Sequence, residues 1–159
     1  MPETLDKTNL AFINMGDLVN LERAMPVNGR FNGHFVSGHI DGIGRIVELR
    51  KLQNSTIISI ECDNSLLRYI VSKGSVAIDG ISLTVVTTSH NSFSVSIIPH
   101  SLDNTNIKTY RIGSVVNIEC DILGKYIEKF LFNNIDNSNN LTDTQSRITQ
   151  QFLEKHGFF

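Results

Sequence analysis

The strongest constraint on this chain is that its opening stretch is written twice. "PETLDKTNLAFINMGDLVNLERA" (2–24) lies without a gap on "PHSLDNTNIKTYRIGSVVNIECD" (99–121), 97 positions later, with nine identities in 23 residues. Pro2 falls on Pro99, Leu5 on Leu102, Asp6 on Asp103, Thr8 on Thr105 and Asn9 on Asn106. Gly16, Val19, Asn20 and Glu22 then meet Gly113, Val116, Asn117 and Glu119. Self-similarity of this kind marks a duplicated structural unit. The second copy follows some 60 residues of its own unit, whereas only a methionine precedes the first. The expectation is one full unit at 34–121, with 1–33 as the closing part of another. That opening would supply two strand-like pieces with no barrel to complete. Its "LVNLERA" edge (18–24) is therefore expected to be disordered, swapped into a neighbour or associated.

The full unit reads as β-structure. "TIISIEC" (56–62) alternates apolar and polar positions, and "SVAI" and "ISLTVV" flank Asp79-Gly80, a strong hairpin signal. "FSVSII" (93–98), "SVVNIEC" (114–120) and a long first strand in "GHIDGIGRIVEL" (38–49) bring the number to about six. Short, evenly spaced antiparallel strands predict a mainly β fold, a small six-stranded Greek-key barrel. A helix is expected over 64–74, capped by Asn64 or Ser65 and ended at Gly74, and a second over 122–132, capped by Asp121. Residues 133–144 read as a polar linker, and the remaining tail holds a marginal helix around Ile148, Phe152 and Leu153.

Charge and cysteine content narrow the function classes. Fourteen basic against sixteen acidic residues give a net charge of −2, so no basic stripe invites a phosphate backbone. No apolar run is long enough to span a bilayer, and the start lacks the pattern of a signal peptide. Cys62 and Cys120 stand outside any metal-ligand spacing and read as reduced thiols. A cytoplasmic protein without a metal is the expectation, with neither a nucleic-acid nor a membrane partner.

Four motifs then become specific. "SGHIDGIGRIVEL", "LLRYIVSKGSVAIDGISLTVV", "FSVSIIPHSLDNTNI" and "GSVVNIECDILGKYIEK" resemble the riboflavin synthase family, and "PETLDKTNL" and "GDLVNLERA" resemble the close of that family's N-terminal barrel. The resemblance runs from Pro2 to about Phe132. It implies dismutation of two 6,7-dimethyl-8-ribityllumazine molecules by four-carbon transfer, giving riboflavin and 5-amino-6-(ribitylamino)uracil without any cofactor. Such a reaction needs two flat rings held face to face and proton transfer at an acidified methyl group. The family pairs the N-barrel of one subunit with the C-barrel of the next, in a homotrimer gathered by C-terminal helices. Association with lumazine synthase is a further implied partnership.

The same resemblance nominates residues, each with an ordinary alternative. Ser82 and Thr84 share one face of their strand and match pteridine-binding positions, though a strand Ser or Thr is often merely solvated. Leu83 lies between them. Lys73 matches a ligand-contacting lysine, or is a cation at a helix C-terminus. Asp121 is a proton-relay candidate as well as an N-cap. Ile98, Pro99, His100, Ser101, Leu102 and Asp103 match the loop that contacts the ribityl chain and pteridine, and also suit a structural corner. Gly38, His39 and Ile40 match a segment that reaches into the N-barrel pocket, to which Thr4 also belongs. Ser82, Asp121 and His39 are the catalytic candidates. His34 and His100 carry weaker cases, and His90 and His156 none. Two other functions compete with synthesis: a barrel that binds a lumazine or flavin without turning it over, and a single-stranded nucleic-acid binder. The acidic balance argues against the second.

Overall fold

The computed structural model describes residues 2–30, 33–140 and 154–155. The chain divides into two compact units, Met1–Gly124 and Lys125–Phe159. Six antiparallel strands close a barrel in the order β1-β2-β5-β4-β3-β6: β1 Gly42–Lys51, β2 Thr56–Cys62, β3 Ser75–Ile78, β4 Ile81–Thr88, β5 Ser92–Ile97 and β6 Val115–Cys120. This is the six-stranded barrel expected from the strand spacing. Its interior is filled by branched side chains from every strand, among them Ile46, Ile60, Val76, Val85, Phe93 and Ile118. Each such side chain contributes about 1.5–3 kcal/mol on leaving water.

Closure depends on local departures from regularity. In β1, Ile46 pairs with Ile60 but Glu48 with Ser59, so Val47 is an extra residue. In β4, Val86 is extra between Val85 and Thr87 in the same way. Such bulges bend and twist a strand, which a barrel of this size needs. Gly44 meets a different demand, since a Cβ there would lie 2.6 Å from Ile60 Cγ2 and 2.7 Å from Ile118 Cδ1.

The helices differ from expectation. α2 is only Asn64–Leu67, capped by the Asp63 side chain, which accepts from Ser65 N–H. The helix predicted to reach Gly74 stops early because the sheet recruits its last residues: Lys73 N–H donates to Val85 O and Val85 N–H to Gly74 O. Pro99–Asn104 forms α3. The last helix, α4, spans Ile122–Asn140 and continues through the asparagine-rich stretch read as a linker. In the tail Glu154 and Lys155 are helical, while Ile148, Phe152 and Leu153, with His156, lie outside the described residues.

The repeat explains the first 30 residues. α1 (Pro2–Lys7) and the 3₁₀ turn Asn9–Phe12 copy α3 and the 3₁₀ turn Asn106–Thr109. Thr8 and Thr105 cap these turns identically, and their hydroxyls donate to Thr4 O and Ser101 O, both at 2.6 Å. The likeness ends there, because 18–23 is irregular whereas its counterpart 115–120 is β6. The strand-like pieces expected in 1–33 are not formed: β6 exists by pairing with β1 and β3, and 18–23 has no such neighbours. The expected exposure of apolar surface is present, with Leu21 91% and Val27 109% exposed.

This opening segment is nevertheless anchored, by a pseudo-symmetric clamp. Asn9 N–H donates to Asn117 Oδ1 (2.7 Å), and Asn117 Nδ2 returns a bond to Asn9 Oδ1 (2.8 Å). Repeat partners exchange roles in the second pair, where Asn106 N–H donates to Asn20 Oδ1 (2.9 Å) and Asn20 Nδ2 to Asn106 Oδ1 (2.8 Å). Asp79 sits between the pairs. Its carboxylate accepts from Asn117 N–H and Tyr110 Oη, each at 2.7 Å, and from Asn9 and Asn106 Nδ2 at 3.1 and 3.3 Å.

Candidate functional site

The β3–β4 hairpin sets the site's geometry. Asp79 (φ 45°) and Gly80 (φ 81°) both take left-handed conformations, which a two-residue hairpin with the right twist requires. The resulting register pairs Ala77 with Ser82 and Ser75 with Thr84. Ile81 and Leu83 pack against the core and Val85 is buried, so Ser82 and Thr84 stand on the barrel's outer face. On the other side of β3, Ala77 pairs with Glu119 and Val76 with Cys120. The ladder ends at that second pair, and Asp121 follows Cys120 where the chain leaves β6 for α4. One row of paired residues, Ser82–Ala77–Glu119, therefore crosses three strands on the outer face, with the Thr84–Ser75 pair beside it. With neighbouring strands about 4.8 Å apart, the row spans roughly 10 Å.

The segment 33–39 lies across this row. Gly33 approaches so closely that a Cβ there would stand 2.5 Å from Ser82 Oγ. His34 donates its N–H to Ser82 Oγ at 3.3 Å, and its Nδ1 lies 2.8 Å from the same oxygen. Its Nε2 is buried and has no hydrogen-bond partner among the described residues. Three residues on, Ser37 N–H and Oγ donate to Glu119 Oε1 at 2.7 and 2.9 Å, and Gly38 N–H to Oε2 at 3.0 Å. Glu119 is 4% and Ala77 1% exposed, although both belong to the outer face. The segment thus buries a carboxylate and supplies it with three donors, without which burial would be costly. Beyond Gly38 (φ 82°) the chain presents His39, an exposed residue whose Nδ1 lies 3.0 Å from Ser37 Oγ. Ile40 is half-buried where the chain enters β1.

The remaining nominated residues scatter around this patch. Asp121 Oδ1 accepts from Leu123 N–H at 3.0 Å, as an N-cap of α4 does. Lys73 takes φ 65° in the turn before β3 and is exposed. Ile98 and Pro99 open α3, with Ile98 56% exposed. His100 and Asp103 are exposed on that helix and Ser101 is half-buried, while Leu102 packs against the core, as Leu83 does. Thr4 is exposed on α1, where its carbonyl accepts from Thr8. The structure brings Ser82, Thr84, Asp121, Gly38 and His39 to one region and leaves Thr4 on the anchored opening segment.

Two participants carry more than sequence reasoning allotted them. His34 had only a weak case, yet it is the residue that engages Ser82. Glu119 had none, although its identity with Glu22 in the repeat was a signal that its position carries a structural demand. A separate groove of about 820 Å³ runs between the opening segment and the hairpin end of the barrel, lined in part by Leu10, Ile13, Leu18, Asn20 and Tyr110. It holds none of the nominated ligand residues. Its titratable hub, Asp79, is saturated by the clamp. Among the described residues no cluster of three His, Cys, Asp or Glu side chains could hold a metal ion, and no helix is long and apolar enough to cross a membrane.

Comparison with known proteins gives a consistent picture. Residues 37–121 match the lumazine binding domain family. The riboflavin synthase of Actinobacillus pleuropneumoniae is 51% identical over 158 residues, covering 99% of this chain and 71% of that protein. The riboflavin synthase of Bacillus subtilis (strain 168) is 44% identical with the same coverage. Among solved structures, LumP complexed with riboflavin superposes with a TM-score of 0.68 at 24% identity, covering 74% of this chain and 64% of that one. LumP complexed with 6,7-dimethyl-8-(1'-D-ribityl) lumazine gives 0.65 at 22% identity. At that level of identity the structures speak for the shared barrel.

Proposed function

The chain belongs to the riboflavin synthase family, and on that premise we propose that its barrel holds one 6,7-dimethyl-8-ribityllumazine on the outer face of β3, β4 and β6. The observation that carries this reading is the β3–β4 register, which turns Ser82 and Thr84 to the outer face beside Ala77 and Ser75. Ser82 and Thr84 would bind the pteridine's polar edge. Lys73 and the start of α3 would bound the ribityl chain. His39, with Ser82 and Asp121, would move the proton at the acidified methyl group. The reaction proposed is the dismutation of two lumazines to riboflavin and 5-amino-6-(ribitylamino)uracil. The protein's main contribution is to hold two rings in contact. One barrel supplies one ring, so the second comes from another barrel. Tyr126, Ile127, Phe130 and Leu131 of α4, each more than half exposed, suit the trimer contacts that would bring barrels together. Cytoplasmic localisation and association with lumazine synthase belong to the same proposal.

A binding protein without turnover is the second reading, favoured by the single complete barrel among the described residues and by its likeness to LumP. One experiment separates the two. The purified chain is mixed with the ribityllumazine, binding is followed by fluorescence, and riboflavin by its absorbance. Riboflavin formation that Ser82→Ala and Asp121→Asn suppress supports the synthase. Binding alone supports the second reading, and neither binding nor turnover refutes both.

A further inference from the structure

We propose that Glu119 and Ser37 are positioning residues that hold the neutral His39 ring with its hydrogen on Nδ1, leaving Nε2 as an open proton acceptor. The inference deepens the reading of His39 as the proton-transfer group and rests on it. Hydrogen-bond directions carry the argument. Both Glu119 oxygens receive backbone N–H groups, from Ser37 and Gly38, and a backbone N–H can only donate. A carboxylate can only accept, and both oxygens of Glu119 do so here. Ser37 Oγ, 2.9 Å from Oε1, commits its one hydrogen to it. At its 3.0 Å contact with His39 Nδ1 the hydroxyl can then only accept, so Nδ1 carries the hydrogen. In a neutral imidazole the other nitrogen is then the acceptor. His39 is exposed, and its Nε2 lies across the ring from the Nδ1 that meets Ser37.

The arrangement suits proton abstraction from carbon. The C–H bond of an acidified methyl group breaks, its electron pair stays on carbon, and the proton bonds to Nε2. The imidazolium so formed keeps its Nδ1–H on Ser37 Oγ, with the Glu119 charge one hydrogen bond further on. That charge stabilises the cation across the serine without itself taking a proton, and Nε2 can return the proton in a later step. Burial strengthens the effect, since Glu119 is 4% exposed and little water screens it. Ser37 and Glu119 act through His39 and touch no substrate in this account.

The test reads the tautomer and the turnover in the same proteins. Long-range ¹H–¹⁵N NMR, with His39 assigned through His39→Gln, is applied to the neutral ring in the full chain and in Ser37→Ala and Ser37→Thr. The expected result is Nδ1–H in the wild type, Nε2–H in Ser37→Ala, and Nδ1–H again in Ser37→Thr, which restores the hydroxyl. With ribityllumazine as substrate, Ser37→Ala should lower kcat by about tenfold or more while KM changes by less than about twofold, and Ser37→Thr should recover most of the loss. A wild-type ring protonated on Nε2 overturns the proposal, as does a Ser37→Ala variant that turns over like the wild type. The expected tautomer changes in a chain that makes no riboflavin support the relay and count against the synthase reading alone.

Discussion

Asp79 is the residue whose removal should cost this structure most for its size. Two of the bonds its carboxylate accepts are short, from Asn117 N–H and from Tyr110 Oη, both 2.7 Å, and both donors lie in a largely buried region. Bonds to an ionised acceptor are worth about 1.5–3 kcal/mol each. Asp79→Ala forfeits both, together with the weaker Asn9 and Asn106 contacts, and leaves the Tyr110 hydroxyl, in a residue 8% exposed, without its acceptor. It also places alanine at φ 45°, where a side chain unable to bond locally costs about 1 kcal/mol or more. The expected loss is about 5 kcal/mol, a large part of a typical domain's 5–15 kcal/mol. Asp79→Asn keeps the turn conformation and an acceptor oxygen and should cost about 1–2 kcal/mol. Urea unfolding followed by far-ultraviolet circular dichroism compares the two variants with the wild type. A double-mutant cycle with Tyr110→Phe isolates the phenol bond, expected at about 1–3 kcal/mol. An alanine variant within about 1 kcal/mol of the asparagine variant would refute the clamp as described.

Cys62 supplies a pH prediction. Burial, and then the charges of Asp63 and Glu61, push its thiol from 9.0 up to about 11. At pH 8 its thiolate fraction should be lower by about a hundredfold, so alkylation of the native chain should be slower than that of the urea-unfolded chain by a similar factor. Equal rates would contradict the assignment. Because the folded value is the raised one, the stabilisation is fully present below pH 9 and is lost as pH rises through about 11. Tyr110, held up by burial and then by the Asp79 charge, acts in the same direction at still higher pH. Gly44→Ala should cost about 1–3 kcal/mol through overpacking against Ile60 and Ile118. Adding Ile118→Val removes the Cδ1 that would meet the new methyl, so it should cost less in that background than alone. Additive losses in chemical denaturation would show that Ile118 is not the obstacle.

Much of the site was legible because it depends on short-range rules. Asp79-Gly80 announced a two-residue turn, the turn set the register, and the register put Ser82 and Thr84 outward with Ile81 and Leu83 inward. Asp121 was readable as a cap because capping involves residues two or three apart. Glu119 and His34 were not readable in this way, since their partners lie 82 and 48 positions distant in sequence. The helix over 64–74 was overcalled for a related reason. Its amphipathic pattern is local, whereas the claim of Val85 on Lys73 and Gly74 comes from across the barrel.

The repeat separates the two kinds of information most cleanly. Residues 2–12 and 99–109 adopt the same helix and 3₁₀ turn, because the bonds that hold them join residues at most four apart and both copies contain those residues. For these segments the sequence by itself was sufficient. Residues 18–23 and 115–120 are just as alike in sequence, yet one is a strand and the other is not. A strand's backbone bonds go to other strands, so its form depends on β1 and β3 lying alongside, which tertiary structure alone provides. The sequence by itself thus determined the turns, the caps and the short helical segments, and marked which stretches were able to become strands. Only the assembled barrel decided which copy of the repeat became a strand, and which distant carboxylate came to lie beneath Ser37 and Gly38.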